Sequence, residues 1–210
     1  MTPTRGRLVA LEGIDGCGKS TQAQKLVAAL VERRVRAVTF REPGDSESGR
    51  ELRRIFVAGR DISPEEEMRL FIEDRRIDVR DNIAPALAAG SHVVMDRYYL
   101  SSVVYQGALG LDPQMIRAKN EAIAPRPDLT LILDLPVDVA LRRIAASRGQ
   151  ANSFEEHEYL EKVRDLYLGF ASERGIEIVD ASEAPDSVHK TLLARILRLL
   201  EVDRPSATDC

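Results

Sequence analysis

The chemistry-bearing residues of this chain begin at Gly13-Ile14-Asp15-Gly16-Cys17-Gly18-Lys19-Ser20, which meets the spacing G-x-x-x-x-G-K-[ST]. Glycines in such a turn let backbone N–H groups converge on a phosphate, because a residue without a Cβ takes left-handed conformations freely. Lys19 can then bridge the outer phosphates, and the Ser20 hydroxyl is a hard oxygen ligand for Mg²⁺. The pattern has meaning only between a strand and a helix. Apolar Leu8 to Glu12 precedes it, and Gln22 to Val31 follows it with Leu26, Val27 and Leu30 on one helical face. The stretch Gly13, Ile14, Asp15, Gly16, Cys17, Gly18, Lys19, Ser20 and Thr21 is therefore expected to hold a nucleoside triphosphate, ATP in the simplest case. The other cysteine is Cys210, so neither a disulfide framework nor a zinc cluster is on offer, and Cys17 is expected to pack as a small residue.

A magnesium-binding loop also needs a carboxylate from a neighbouring strand end. Val93-Val94-Met95-Asp96 and Leu131-Ile132-Leu133-Asp134 both offer one. Asp96 is the better metal candidate because Arg97 follows at once and adds a phosphate-directed cation; Asp134 precedes Leu135-Pro136 and reads as a turn cap. An acceptor must be held in line with the transferred phosphoryl group, so positioning residues matter most. Phe71 and Arg75 lie four apart in a helical segment and share a face, where a ring can stack on a base and a guanidinium can bond its edge. Taken singly they read more readily as a core ring and a solvated charge. Arg41-Glu42-Pro43-Gly44 closes a strand with a turn whose proline is a candidate for the cis form. Asp96-Arg97-Tyr98, Ser101-Ser102 and Tyr105-Gln106-Gly107 gather a cation, hydroxyls, a phenol and an amide suited to a nucleotide wall. These residues leave open a kinase of a nucleoside monophosphate, a kinase of another small acceptor, and a nucleotide-binding module without turnover.

The elements that must position these groups are five short β-rich runs, Leu8 to Glu12, Ala37 to Arg41, His92 to Asp96, Leu129 to Asp134 and Ile176 to Asp180, separated by helical segments such as Glu65 to Ala89. Alternating strand and helix predicts an α/β fold, a three-layer P-loop NTPase arrangement with a five-stranded parallel sheet flanked by helices. Ligands then collect beyond the carboxyl ends of the strands, where Glu12, Arg41, Asp96 and Asp134 fall. A length of 210 residues suits one domain, read as residues 1–203 with a flexible tail at 204–210. With 44% hydrophobic and 30% charged residues and no long apolar run, the expectation is a cytoplasmic protein without a signal segment or membrane span. A net charge of -4 and a pI near 5.5 exclude a broad basic face for nucleic acid. Polyanionic ligands must be met by placed cations, for which Lys19, Arg41, Arg75, Arg97, Arg143 and Arg148 are the candidates.

As a set, the loop from Glu12 to Ser20, Arg41-Glu-Pro-Gly44, Leu70-Phe-Ile-Glu-Asp-Arg75, Asp96-Arg-Tyr98 and Tyr105-Gln-Gly107 resembles the thymidylate kinase family, in the branch with no basic residue in the loop, where this chain has Gly16. The resemblance implies Mg²⁺-dependent transfer from ATP to dTMP in a homodimer. It implies that Phe71 stacks on thymine, that Arg75 contacts the base carbonyl, and that Ser102 and Gln106 face the base edge. Tyr105 would crowd the sugar 2′ position, Arg97 would hold the dTMP phosphate, and Asp15 would lie near the 3′-hydroxyl and the metal. Arg41 and Pro43 would line the same site. Residues 141–154 resemble the family's lid, whose Arg143 and Arg148 would join Lys19 and Arg97 over the transferring group. Two departures stand out: Asn152-Ser153 replaces a frequent Asp-Arg, leaving the lid one cation short, and Asp45 replaces a glycine where an added negative charge would oppose a dianionic acceptor.

Overall fold

Strands β1 (Leu8–Glu12), β2 (Ala37–Arg41), β3 (His92–Asp96), β4 (Leu129–Asp134) and β5 (Ile176–Asp180) form one parallel sheet in the order β2-β3-β1-β4-β5. They come from a computed structural model that describes residues 5–148 and 154–201, apart from the side chains of residues 147, 148, 154 and 155. The strands have the bounds expected from their apolar runs. Central β1 is buried along its whole length, as is most of β3 and β4, whereas edge strands β2 and β5 are only half covered. That gradient is why the central runs are continuously apolar rather than alternating.

Helices α1 (Lys19–Glu32), α2 (Glu47–Ala58), α3 (Pro64–Asp78), α4 (Ala84–Ala88), α5 (Tyr99–Ala108), α6 (Pro113–Glu121), α7 (Val137–Arg148), α8 (Phe154–Gly169) and α9 (Pro185–Glu201) flank the sheet. Several starts follow local rules. Ser46 and Ser63 accept the N–H of Gly49 and Glu66 at 3.0 and 3.2 Å, and Pro64 opens α3 where a missing N–H costs nothing. The expected single helical run from Glu65 to Ala89 is corrected: α3 ends at Asp78, and Val79–Ile83 forms a π turn before α4. Pro85 supplies a physical reason, since its ring has no N–H and collides with the carbonyl four residues back; the N–H of Ala84 instead bonds the Val79 carbonyl five residues back. The first part of the expected lid, Leu141 to Arg148, continues α7. Residues 149–153 and the expected tail at 204–210 lie outside the described residues. No described helix is long and apolar enough to cross a membrane.

Register brings the chemistry to one edge. Asp96 is level with Leu11 on one side and Arg41 on the other, so β1, β2 and β3 end together and their following loops meet. The Arg41 to Gly44 turn has a cis Glu42–Pro43 bond and is tied to α3 by the Asp74 carboxylate, which accepts Gly44 N–H at 2.7 Å and Ser46 Oγ–H at 2.5 Å. Gly49 packs directly against this knot. A Cβ there would lie 2.3 Å from the Gly44 carbonyl and 2.5 Å from Asp74 Oδ1. We expect Gly49→Ala to cost about 1–3 kcal/mol through overpacking, read by urea denaturation; a variant as stable as its parent would show that the turn yields freely.

Candidate active site

The phosphate loop takes its shape from three left-handed glycines. Gly13 has φ 135° and its missing Cβ would sit 2.5 Å from the Leu133 carbonyl, so β4 itself forbids a side chain there. Gly16 and Gly18 follow at φ 80° and 97°, and Gly18 caps α1 without any side-chain bond to its first N–H groups. With no acidic residue in the first turn of α1, those N–H groups and the helix dipole are left for an anion. Lys19 is nearly buried, and its ammonium donates to the carbonyls of Gly13 at 3.0 Å and Ile14 at 2.8 Å, with Cys17 Sγ at 3.4 Å. The cation is thus held over the hollow of its own loop. Cys17 packs as the small buried residue expected.

Ser20 Oγ donates to Asp96 Oδ2 at 2.5 Å, joining the start of α1 to the end of β3. A hydroxyl and a carboxylate in contact at the loop mouth form a hard oxygen donor set of the kind Mg²⁺ takes. Asp134 is committed elsewhere, to a two-point ion pair with Arg164 of α8 at 2.7 and 3.0 Å. The two aspartates that the sequence offered are thereby separated by their partners.

Arg97, Ser101 and Tyr105 stand at successive four-residue steps along the face of α5 and its lead-in. Arg97 has a left-handed backbone, φ 68°. Its guanidinium donates to Asp15 Oδ1 at 2.7 Å, Ser101 Oγ at 3.0 Å, Tyr105 Oη at 3.1 Å and the Gly13 carbonyl at 3.3 Å, and lies 4.9 Å from the Tyr105 ring centroid. Burial pushes the Tyr105 phenol above its ordinary range, so it stays protonated beside this cation. Sequence positions 13, 15, 97 and 105 therefore form one cluster.

A second cluster centres on Arg75. Arg75 is 1% exposed and makes a bidentate ion pair with Glu42, Nε to Oε1 at 2.9 Å and Nη2 to Oε2. It also donates to Asn120 Oδ1 and, at 3.1 Å, to Ser102 Oγ, and stacks 5.7 Å from the Tyr98 centroid. Arg75 is thus neither a solvated charge nor a loose one. Burial pushes the Glu42 carboxyl up to about 7, against the pull of Arg75 and with the help of Asp78 and Asp74. Gln106 is fully buried; its Nε2 donates to Glu67 Oε1 at 2.7 Å, and its Oε1 has no partner among the described residues. Glu67 is in turn gripped by Arg60 at 2.6 and 2.7 Å. Phe71 is half-buried, backed by Phe56 with ring centroids 6.1 Å apart.

Other expected residues fall outside these clusters. Arg143 donates to the Ala181 carbonyl beyond β5 at 3.3 Å through both terminal nitrogens, on the opposite side of β1 from Arg97 in the sheet order. The side chain of Arg148 and the Asn152-Ser153 pair lie outside the described residues. Arg41 is exposed at the end of β2, without a side-chain partner among the described residues, and half-buried Pro43 sits in the cis turn with its carbonyl accepting from Arg53 at 2.9 Å. Asp45 turns outward, its side chain 98% exposed and paired with Arg53 at 2.9 Å. Thr21 is exposed in the first turn of α1. Sequence reasoning missed Glu42, Glu67, Asn120 and Tyr167 as parts of the site, and saw Glu12 only as a strand end. A charged residue at or just past the end of an apolar strand was the one signal available for Glu12 and Glu42; Asn120 and Tyr167 meet partners dozens of residues away, and Glu67 has no local mark of its tie to Gln106.

Comparison with known proteins agrees with this geometry. The family profile described as thymidylate kinase matches residues 11–192. A probable thymidylate kinase of Archaeoglobus fulgidus is 43% identical over 199 residues, covering 95% of this chain and 99% of the relative. A thymidylate kinase of Akkermansia muciniphila is 49% identical over 163 residues, 78% of each chain, and one of Desulfotalea psychrophila is 37% identical over 203 residues, 96% and 100%. With the phosphate loop, the Arg97 cluster and the Arg75 pocket all falling inside the matched span, the chain belongs to the thymidylate kinase family, and with it to the nucleoside monophosphate kinases.

Proposed function

We propose that this chain transfers the γ-phosphoryl group of ATP to the 5′-phosphate of dTMP, giving dTDP and ADP, in the groove between the phosphate loop and α5. The observation that carries this reading is the Arg97 guanidinium, which bonds Gly13 and Asp15 in the donor loop and Ser101 and Tyr105 on the acceptor wall. A cation so placed spans the point where two phosphates must meet. Lys19 and Arg97 share the charge of the transferring group, with Arg148 as the lid's contribution, while Arg143 stays on the Ala181 carbonyl at the β5 end of the sheet. Asp15 sits at the 3′-hydroxyl of the acceptor sugar. No general base is required, because the acceptor phosphate is already anionic at neutral pH.

The base pocket supports a pyrimidine with an imide N–H. The Glu67 carboxylate can only accept, so it fixes the Gln106 amide with its NH₂ toward Glu67 and its carbonyl inward. That carbonyl lacks a donor among the described residues, and N3–H of thymine supplies one where cytosine has only a lone pair. Arg75 and Ser102 present a complementary donor edge for a base carbonyl, Phe71 offers a ring face for stacking, Tyr105 closes the sugar side against a 2′-hydroxyl, and Arg41 and Pro43 complete the rim.

Ser20 and Asp96 would hold Mg²⁺ through their oxygens. When bound, the ion neutralises charge on the phosphates of ATP. Family membership supports a homodimer in the cytoplasm, and exposed Phe56 and Val57 on α2 supply apolar surface for such an assembly. The net negative charge speaks against a nucleic-acid partner.

In an ADP-release assay across nucleoside monophosphates, dTMP is expected to have the highest kcat/KM, with dCMP at least about 100-fold lower because the Gln106 and Arg75 contacts are mismatched. Equal use of all acceptors, or preference for an unphosphorylated nucleoside, would overturn the assignment. Asp96→Asn is expected to lower kcat by roughly 100-fold or more with the fold retained by circular dichroism; an unchanged kcat across a magnesium titration would remove Asp96 from the metal role.

A further inference from the structure

Glu12 is a fully buried carboxylate to which the phosphoryl-transfer scheme assigns no task. It accepts four hydrogen bonds: from the N–H of Tyr98 at 3.0 Å, the N–H of Ser101 at 3.2 Å, the Ser101 hydroxyl at 2.5 Å and the Tyr167 hydroxyl at 3.0 Å. Two of these donors belong to the N-terminus of α5, whose own N-cap, Tyr98, contributes no side-chain bond. Glu12 therefore caps α5 from a different strand, and its negative charge faces the positive end of that helix.

The direction of the Ser101 hydroxyl matters most. Arg97 is a donor only, and it donates to Ser101 Oγ at 3.0 Å, so the Ser101 hydrogen must point away from it. Glu12 Oε2, at 2.5 Å, is the acceptor that takes this hydrogen. The neighbouring Tyr167 hydroxyl, 2.9 Å from Ser101 Oγ, is itself bonded to Glu12. Glu12 Oε2, accepting from both hydroxyls, thus turns a lone pair of Ser101 toward Arg97, and Oε1 of the same group pins the two N–H groups just after the left-handed Arg97 backbone. Ion-pairing through a serine also places compensating charge behind a guanidinium whose other partner, Asp15, stands half-exposed in front.

We propose that Glu12 is a positioning residue for Arg97, acting through the Ser101 hydroxyl and the start of α5 so that the guanidinium is aimed at the acceptor phosphate before dTMP arrives. This rests on the assignment of Arg97 to that phosphate. The step is one of orientation; no bond is made or broken at Glu12. Tyr167 lies on α8, the helix that follows the lid segment, so the aim of Arg97 is also braced from the lid side of the molecule.

The test compares Ser101→Ala, Glu12→Gln and Arg97→Ala, measuring KM and kcat for dTMP, KM for ATP, and the Kd of thymidine, which lacks the 5′-phosphate. Ser101→Ala is expected to raise KM for dTMP roughly tenfold, and Glu12→Gln by roughly 10- to 100-fold, because the amide nitrogen donates where Oε2 accepted. Thymidine affinity and KM for ATP should stay within about twofold of the parent, since a general structural loss would move them together with dTMP. The double variant Arg97→Ala/Ser101→Ala should be no worse than Arg97→Ala alone. If Arg97→Ala weakens dTMP while Ser101→Ala does not, or if the two effects add in full, the role of Glu12 is overturned and that of Arg97 stands. If Arg97→Ala leaves dTMP unaffected, both fall. Should Glu12→Gln fail to fold, Ser101→Ala decides the matter alone, since it leaves the backbone caps of α5 in place.

Discussion

Arg97 donates at 2.7 Å to Asp15 in the phosphate loop and at 3.0 Å to Ser101 on α5, and these two bonds join the loop and the helix into one cluster. Sheet topology makes the contact available: β1, which leads into the loop, and β3, which leads into Arg97, are hydrogen-bonded neighbours ending at the same level. Ser20 and Asp96 repeat the same junction one residue earlier along β3. Two strand ends, each followed by a polar loop, thus place a hydroxyl-carboxylate pair and a guanidinium side by side.

A chain with net charge -4 must still present cations to a pair of polyanions, and it stores three of them against close partners. Lys19 rests on loop carbonyls, Arg97 on Asp15 and Ser101, and Arg75 on Glu42 and Asn120. The Arg75 to Glu42 pair is the extreme case, both groups nearly without solvent. Burying such a pair gains little net stability over apolar packing, because the desolvation cost of two ions rivals their attraction. Its value lies in direction: Glu42, Asn120 and Ser102 surround the guanidinium so that it has few orientations left. A binding site benefits from that arrangement because the ordering cost is met during folding rather than on association with the nucleotide.

Tertiary partners also decide the residues whose sequence context was ambiguous. Asp45, a threat to an anionic acceptor when read in sequence, points to solvent and pairs with Arg53. Asp134, as apolar in its lead-in as Asp96, is occupied by Arg164. Arg143 reaches the Ala181 carbonyl, which places it at the β5 end of the sheet rather than beside Arg97. In each case a charge that looked free in the chain is directed by a group 8 to 38 residues distant.

The strands, the phosphate loop and the family are legible in the chain alone, because they depend on local patterns: apolar runs, glycine spacing, and short motifs a few residues long. Helix continuity after Asp78 was less legible, since the apolar spacing runs on while Pro85 forces a wider turn. Which polar groups face each other is settled by the fold. Glu12 meets Tyr167 across 155 positions and Arg75 meets Asn120 across 45. A carboxylate at the end of an apolar strand looks the same in sequence whether it meets solvent, a metal or a helix N-terminus. The choice is made by desolvation: once the sheet buries Glu12, it must find donors there, and those donors are the ones that aim Arg97.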